Sequence, residues 1–447
     1  MNKLFGTDGV RGVANEFLTP ELAFALGRAG GHVLAAHGAR RPVLVGRDTR
    51  MSGPMLEAAL CAGLASVGLD VWKVGIIPTP GVAYLTRQLR GAAGVVISAS
   101  HNPIEDNGFK FFAADGSKLP DAIEDEIEAA VAAHEDLPRP VGADVGEILD
   151  RRRVVRVYER HCIGLGTSLR NMTLIVDAAF GAAYAIAPRV FGALGATVIP
   201  LHCKPDGRRI NVDCGATQLE PLRTAVSRTP GSIGVAFDGD ADRALFIDEK
   251  GEIVTGDHVL AIWARDLYAQ GLLPKKTIVA TVMSNIGLER ALAKDGIALQ
   301  RTSVGDRYVL EAMVRGGFRI GGEQSGHIID LEANTTGDGI ATAVKLLSMC
   351  AKGGSLHALA QAMRVYPQVL LNVRVTDKQR VHDDEKVRRA IEDASAALDG
   401  RGRVFVRPSG TEPLIRIMVE GPDETQIRVL ARSVADVVEA ATSRSET

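Results

Sequence analysis

Long apolar runs are missing from this 447-residue chain. No stretch approaches the ~20 residues that a membrane span needs. The opening Met-Asn-Lys-Leu-Phe-Gly-Thr-Asp reaches a glycine and an aspartate before any apolar segment develops, which points away from a secretory signal. Aromatic residues are scarce, at 4% with 2 Trp and 6 Tyr, so stacking platforms for single-stranded nucleic acid are not expected. An excess of one charge is lacking as well. The 52 basic and 54 acidic residues leave a formal net charge of -2, which argues against a nucleic-acid or anionic-membrane partner while leaving room for a local basic pocket. The 5 cysteines are odd in number and show no C-x-x-C spacing. Neither a disulfide framework nor a zinc site is indicated, and reduced thiols in a cytoplasm are expected.

Three common signatures are also absent: G-x-x-x-x-G-K-[ST], G-x-G-x-x-G and H-E-x-x-H. A P-loop kinase, a dinucleotide enzyme with the usual fingerprint and a zincin are therefore disfavoured.

The chain does contain alternating short apolar runs and amphipathic segments, the pattern of an α/β protein too long for one core. Thr19-Pro-Glu21 reads as a helix start, followed by Leu22, Leu26, Ala29 and Val33 at helical spacing. Val43–Val45, Asp70–Val74 and Gly94–Ser98 read as strands around a helix at Pro54–Val67. A second unit runs through strand Thr173–Val176, helix Ala182–Leu194, strand Thr197–Pro200 and strand Ile233–Phe237. A third has a helix from about Asp257 and strands Thr277–Thr281 and Phe318–Gly321. The last segment changes order to strand, helix, strand, strand, helix. The expected architecture is three similar α/β domains with mixed sheets, at 1–152, 153–255 and 256–366, plus a smaller C-terminal α+β domain at 367–447. Polar, glycine-containing motifs directly follow apolar strands in these units. Ligands of α/β sheets bind beyond the carboxyl ends of strands, so the motifs are expected to converge on a central cleft.

Asp238-Gly-Asp240-Ala-Asp242-Arg243 is the strongest metal signal, because alternate carboxylates on a tight turn can face one hard cation such as Mg²⁺. A solvated acidic turn is the bland alternative. An EF-hand would also use Asp238, Asp240, Asp242 and Glu249, but Arg243 stands where that loop needs glycine, and the flanks read as strands. Ser100 and His101 follow a strand without the nucleophile elbow of a hydrolase. Beside a Mg²⁺ site, Ser100 makes sense as a phosphoryl carrier, its phosphate adding about -1.5 to -2 of charge and an oxygen for the metal. Lys110 is either a surface lysine or a cation and proton shuttle beside it. Arg407-Pro-Ser-Gly-Thr-Glu-Pro413 reads as a phosphate cradle, or as an ordinary turn. Gly322-Glu-Gln-Ser-Gly-His327 suits sugar hydroxyls, and Arg11 in Phe5-Gly-Thr-Asp-Gly-Val-Arg-Gly could meet a phosphate.

Together, and in this order, Phe5-Gly-Thr-Asp-Gly-Val-Arg-Gly, Ser98-Ala-Ser-His-Asn-Pro, Asp238-Gly-Asp-Ala-Asp-Arg, Gly322-Glu-Gln-Ser-Gly-His and Arg407-Pro-Ser-Gly-Thr-Glu-Pro resemble the α-D-phosphohexomutase family. Gln324, where relatives tend to carry Met, and Val304-Gly-Asp-Arg-Tyr-Val309 resemble most closely its branch acting on glucosamine phosphates. The resemblance implies a phosphorylated Ser100, with Asp238, Asp240 and Asp242 binding Mg²⁺ together with a phosphate oxygen. It implies Arg11, Lys110, Arg243, His101 and His327 around the transfer centre. Glu323 and Ser325 would hold the sugar, and Arg407, Ser409, Gly410 and Thr411 the non-reacting phosphate. The implied reaction converts glucosamine 6-phosphate to glucosamine 1-phosphate through a 1,6-bisphosphate, in a bacterial cytoplasm, as a cell-wall precursor step. Its partners are the phosphosugar and the bisphosphate, with room for a homodimer and none for nucleic acid or membrane. The competing readings are a phosphoglucomutase or phosphomannomutase, a non-catalytic phosphosugar binder and a sugar phosphatase.

Overall fold

A computed structural model describes residues 3–6, 9–38, 41–409 and 413–443. The chain packs as two units, one made of Met1–Met283 with Ile297–Ala362 and the other of Ser284–Gly296 with Met363–Thr447.

The first unit carries three mixed sheets. The first sheet runs Val10–Val13, Asp106–Phe112, Ala93–Ile97, Val43–Arg47, Val71–Ile76, Ile148–Asp150. Val43–Arg47 lies parallel to both neighbours, while Asp106–Phe112 is antiparallel to Ala93–Ile97 and to Val10–Val13. Ala93–Ile97 is apolar and buried along its whole length, as befits a central strand covered on both faces. The helix Pro20–Ala36 starts where expected, Thr19 Oγ1 accepting from Leu22 N at 3.2 Å with Pro20 in the first turn. The second sheet orders Ile253–Val254, Ala244–Ile247, Ile233–Phe237, Thr173–Asp177, Thr197–Leu201. The third orders Ala298–Thr302, Thr277–Thr281, Ile320–Gly322, Ile328–Asp330.

Two expected elements shift, each because a backbone group is committed elsewhere. The helix expected from Ala182 begins at Ile186. Ala182 N donates to Gly239 O at 2.8 Å and Gly181 N to Ala178 O, so this backbone serves the acidic loop before it can turn helical. The strand expected from Phe318 begins at Ile320. Gly317 closes the preceding helix in the left-handed region (φ +65°), and Phe318 N returns to Met313 O at 2.9 Å, making Phe318 part of the helix cap.

The second unit is a three-stranded antiparallel sheet, Gln368–Arg374, Leu414–Glu420, Arg403–Pro408, with Glu385–Ala397 and Glu424–Ser443 among its helices. Val373, Val387, Ile415, Ile417, Ile427 and Val434 lie in its core. Ser284–Gly296, expected within the third α/β domain, packs here. Ile286 N donates to Glu420 Oε1 at 3.1 Å, and Asn285 pairs with the backbone of Tyr366 through both ends of its amide. Among the described residues, no helix is long and apolar enough to cross a membrane.

Candidate active site

Ser100 sits just beyond the buried strand Ala93–Ile97, at φ +51°, a conformation that strains a residue with a Cβ by about 1–3 kcal/mol. Neighbouring side chains hold the strain. Ser100 N donates to Ser98 Oγ at 3.0 Å, and Ser98 Oγ donates to Asp48 Oδ2 at 2.6 Å. Arg50 is fully buried, pairs with Asp48 through Nε at 3.1 Å, and gives its remaining donors to carbonyls of the serine loop: Ser100, Asn102, Pro103 and Asp106. Asn211 Nδ2 reaches the Ser100 carbonyl from the second domain at 2.8 Å. The outcome is a buried hydroxyl that faces the acidic loop, and Ser100 Oγ donates to Asp238 Oδ2 at 2.7 Å.

Asp238, Asp240 and Asp242 project from the turn after Ile233–Phe237, all buried, with one oxygen of each lying within 4.8 Å of the others. Gly239 is required at this turn, because a Cβ there would come 2.6 Å from Ser100 O. Burial, with Asp242 and Asp240 beside it, pushes the Asp238 carboxyl well above its usual range. Burial raises Asp242 too, but Lys110, His327 and Arg243 outweigh it and hold that carboxyl well below the usual range. Asp240 Oδ2 accepts from Thr79 Oγ1 at 2.6 Å and from Lys110 Nζ at 3.2 Å. Asp240 Oδ1 and Asp242 Oδ1 are buried with no hydrogen-bond partner among the described residues. Buried carboxylate oxygens without donors are what a hard cation would satisfy, so this set fits a metal ion. Glu249 takes no part. Its carboxylate accepts from Leu356 N and His357 N, each at 2.9 Å, at the start of a short helix, which disposes of the EF-hand alternative.

Cations surround the carboxylates. Lys110, on the strand antiparallel to Ala93–Ile97, lies 3.2 Å from Asp240 and 3.5 Å from Asp242. Arg243 Nε stands 3.8 Å from Asp242 Oδ1 and makes no hydrogen bond among the described residues. Burial lowers the Arg243 pKa, but Asp242, Asp238 and Glu323 drive it above the usual value, so the guanidinium is a fixed charge. Desolvation, helped by Arg243 and Arg11, pulls His101 down to about 4, leaving a neutral ring whose Nδ1 is 3.3 Å from Ser100 Oγ. Arg11 lies opposite Gly108 in the register of the first two strands.

The third loop closes the group. Glu323 accepts from Gly305 N at 3.1 Å and from Ser325 Oγ at 3.3 Å. His327 is buried, with Nδ1 at 3.6 Å from Asp242 Oδ2. Desolvation lowers its pKa, yet Asp242, Asp306 and Glu323 outweigh this and push it up to about 9. Gly337 N donates to Nε2 at 3.1 Å, which makes Nε2 an acceptor and leaves the proton of the neutral ring on Nδ1, facing Asp242. Gly337 must be glycine here, since a Cβ would meet the imidazole at 2.4 Å.

Arg407 and Ser409 belong to the other unit. Arg407 lies directly across the antiparallel ladder from Arg416, and burial followed by Arg416 lowers its pKa. Like charges placed opposite each other are unfavourable unless an anion joins them. Ser409 is buried, and its carbonyl accepts from Lys378 Nζ at 2.7 Å. Gly410 and Thr411 lie outside the described residues.

The structure therefore gathers Ser100, His101, Lys110, Asp238, Asp240, Asp242, Arg243, Glu323, Ser325 and His327 within one unit. Asp48, Arg50, Thr79 and Asn211 join them and were missed from sequence, as was Arg416 beside Arg407. One signal was available for Asp48 and Arg50: Gly46-Arg-Asp-Thr-Arg50 also follows an apolar strand, as the serine and aspartate motifs do.

Comparison with known proteins gives four consecutive matches to phosphoglucomutase/phosphomannomutase domains: α/β/α domain I at residues 2–137, domain II at 161–251, domain III at 255–366 and the C-terminal domain at 370–437. The phosphoglucosamine mutase of Moorella thermoacetica is 56% identical over 430 residues, 96% of this chain and 97% of its own. That of Desulforamulus reducens is 52% identical over 441 residues, 98% of this chain and 99% of its own. The fold matches the crystal structure of a phosphoglucomutase/phosphomannomutase family protein from Burkholderia thailandensis, with TM-score 0.84, 24% identity and coverage of 99% and 98% of the two chains. It also matches Aspergillus fumigatus N-acetylphosphoglucosamine mutase in complex with GlcNAc-6P and magnesium, with TM-score 0.69, 17% identity and coverage of 98% and 96%.

Proposed function

The chain belongs to the phosphoglucomutase/phosphomannomutase family, and within it we propose that the protein is a phosphoglucosamine mutase, interconverting glucosamine 6-phosphate and glucosamine 1-phosphate through phosphorylated Ser100. The observation that carries the mechanism is the buried Ser100 hydroxyl held 2.7 Å from Asp238 in a cluster of three carboxylates. The choice of sugar rests on the curated relatives, 52% and 56% identical across nearly the whole chain.

Asp238, Asp240 and Asp242, with an oxygen at Ser100, would hold Mg²⁺. When bound, that cation supplies positive charge to the oxygens of the transferring phosphoryl group. The electrostatics support the pairing: a phosphate of about -1.5 to -2 beside three carboxylates needs a matching dication.

The protein's own groups do the rest. Arg243 offers fixed positive charge around the transfer centre and Lys110 a second cation, with Arg11 nearby. The phosphoryl leaves Ser100 Oγ as its bond to O1 of glucosamine 6-phosphate forms, giving the 1,6-bisphosphate. The proton from O1 ends on Ser100 Oγ, and Lys110 or neutral His101 can carry it. After the bisphosphate turns end for end, the 6-phosphoryl returns to Ser100 Oγ, whose proton passes to O6, and glucosamine 1-phosphate departs. Glu323 and Ser325 would orient ring hydroxyls, with His327 steadying Asp242. Arg407, Ser409, Gly410 and Thr411 would hold the phosphate that is not reacting, and Arg416 adds a second guanidinium.

Asp240→Asn keeps the size and the Thr79 contact but removes one of three charges. The Mg²⁺ concentration for half-maximal activity should rise by about one to two decades. An unchanged Mg²⁺ profile would make the acidic turn structural.

Glu323→Gln separates two roles. Both carboxylate oxygens already accept donors from the protein, which favours a preset acceptor for hydroxyls common to all hexoses. The expected result is a loss of about tenfold in kcat/KM, similar for glucosamine 6-phosphate and glucose 6-phosphate. A loss confined to the amino sugar would instead make Glu323 the group that recognises the ammonium.

A further inference from the structure

The basic run Arg151-Arg-Arg153 spans the expected boundary between the first two domains and lies beside a cavity apart from the catalytic residues. Arg47, Arg152, Arg153, Arg156 and Arg189 line it, with Glu159 the one lining carboxylate, and its volume is about 640 Å³. None of the candidate catalytic side chains lines it. Its position is that of a ligand site. Arg47 ends the strand Val43–Arg47, and Gly75 and Ile76 end the parallel neighbour Val71–Ile76, so the cavity opens beyond the carboxyl ends of parallel strands.

The charges are only partly matched within the protein. Arg152 pairs with Asp150 at 2.9 Å and Arg189 with Glu159. Arg47 faces Glu57 with Nε at 3.6 Å and donates from Nη1 to Asp48 O, so its charge is matched inside the protein. Arg153 and Arg156 have no acidic partner among the described residues. A chain of net charge -2 has no general excess of cations to spread over its surface, so several guanidinium groups around one concavity are a local construction.

We propose that this cavity binds a small molecule carrying a diphosphate group. Guanidinium forks match phosphate oxygens two at a time. The two unmatched charges are about what one phosphate group of about -1.5 to -2 neutralises, and Arg152, which also lines the cavity and is held only by an exposed pair with Asp150, would face a second. The volume lies within the range of about 300–1,000 Å³ typical of small-ligand sites and is far larger than inorganic phosphate needs.

The test is calorimetric titration of the full-length protein with pyrophosphate and with ADP, in chelator-containing buffer, for wild type and Arg153→Glu/Arg156→Glu. Both residues are exposed, so the variant should melt at the wild-type temperature and turn over substrate at the wild-type rate without the anion. The expected result is wild-type binding with Kd below about 1 mM, weakening with salt, and a loss of about tenfold or more in the variant. Equal affinity for the two probes would identify the diphosphate as the whole determinant; tighter ADP would add a nucleoside. Absence of binding, or the same Kd in the variant, would overturn the proposal.

Discussion

Replacing Ser100 with alanine is expected to abolish turnover, by on the order of 10⁴–10⁶-fold, because the oxygen that carries the phosphoryl group is gone. The change is otherwise small. Ser100 N still donates to Ser98, and the Ser100 carbonyl still accepts from Arg50 and Asn211. What Asp238 loses is one donor, so folding stability should change by no more than about 1–3 kcal/mol. Intact-mass measurement should find one phosphate on the wild type and none on the variant. Phosphate carried elsewhere in active enzyme would sink the assignment of Ser100.

The second large effect is expected at Arg50, a residue that need not touch substrate. Arg50→Met leaves Asp48 buried without its partner, a destabilisation of about 3–5 kcal/mol, and strips donors from four loop carbonyls. The melting temperature should fall. At a temperature well below that melting point, kcat should fall by about 10² with little change in KM, since a misplaced Ser100 binds sugar but transfers poorly. The double variant Asp48→Asn/Arg50→Met removes the orphaned charge, and it should regain part of the stability without regaining kcat. Recovery of both together would mean that Arg50 acts only on stability.

The chemistry of the site was legible where it is written locally. Asp238, Asp240 and Asp242 lie within five residues, and Ser100 follows an apolar strand, so one motif each was enough. What stayed hidden depends on side chains that arrive from afar. Arg50 reaches carbonyls some fifty positions later in the chain, Thr79 meets Asp240, and Asn211 crosses to Ser100. No local spacing records such contacts. The same holds for the fold. Three α/β units and an α+β segment follow from the pattern of apolar runs, but Ile286–Ala293 reads as an ordinary helix of the third domain until Glu420 and Tyr366 are seen to hold its start. The late start at Ile186 was equally invisible, since Ala182 has a helix former's side chain while Ala179 and Phe180 before it take positive φ and its own N–H crosses to Gly239 O.

The central claim is a phosphoserine mutase acting on glucosamine phosphates, and one experiment reaches it directly. Phosphorylated enzyme is mixed with glucosamine 6-phosphate in the presence of Mg²⁺ and followed by ³¹P NMR, with glucose 6-phosphate and mannose 6-phosphate run alongside. The account predicts glucosamine 1-phosphate as the product, the 1,6-bisphosphate as intermediate, phosphate retained on Ser100 at the end, and the highest kcat/KM for the amino sugar. Release of inorganic phosphate faster than isomerisation, or a higher kcat/KM for glucose or mannose 6-phosphate, would contradict it.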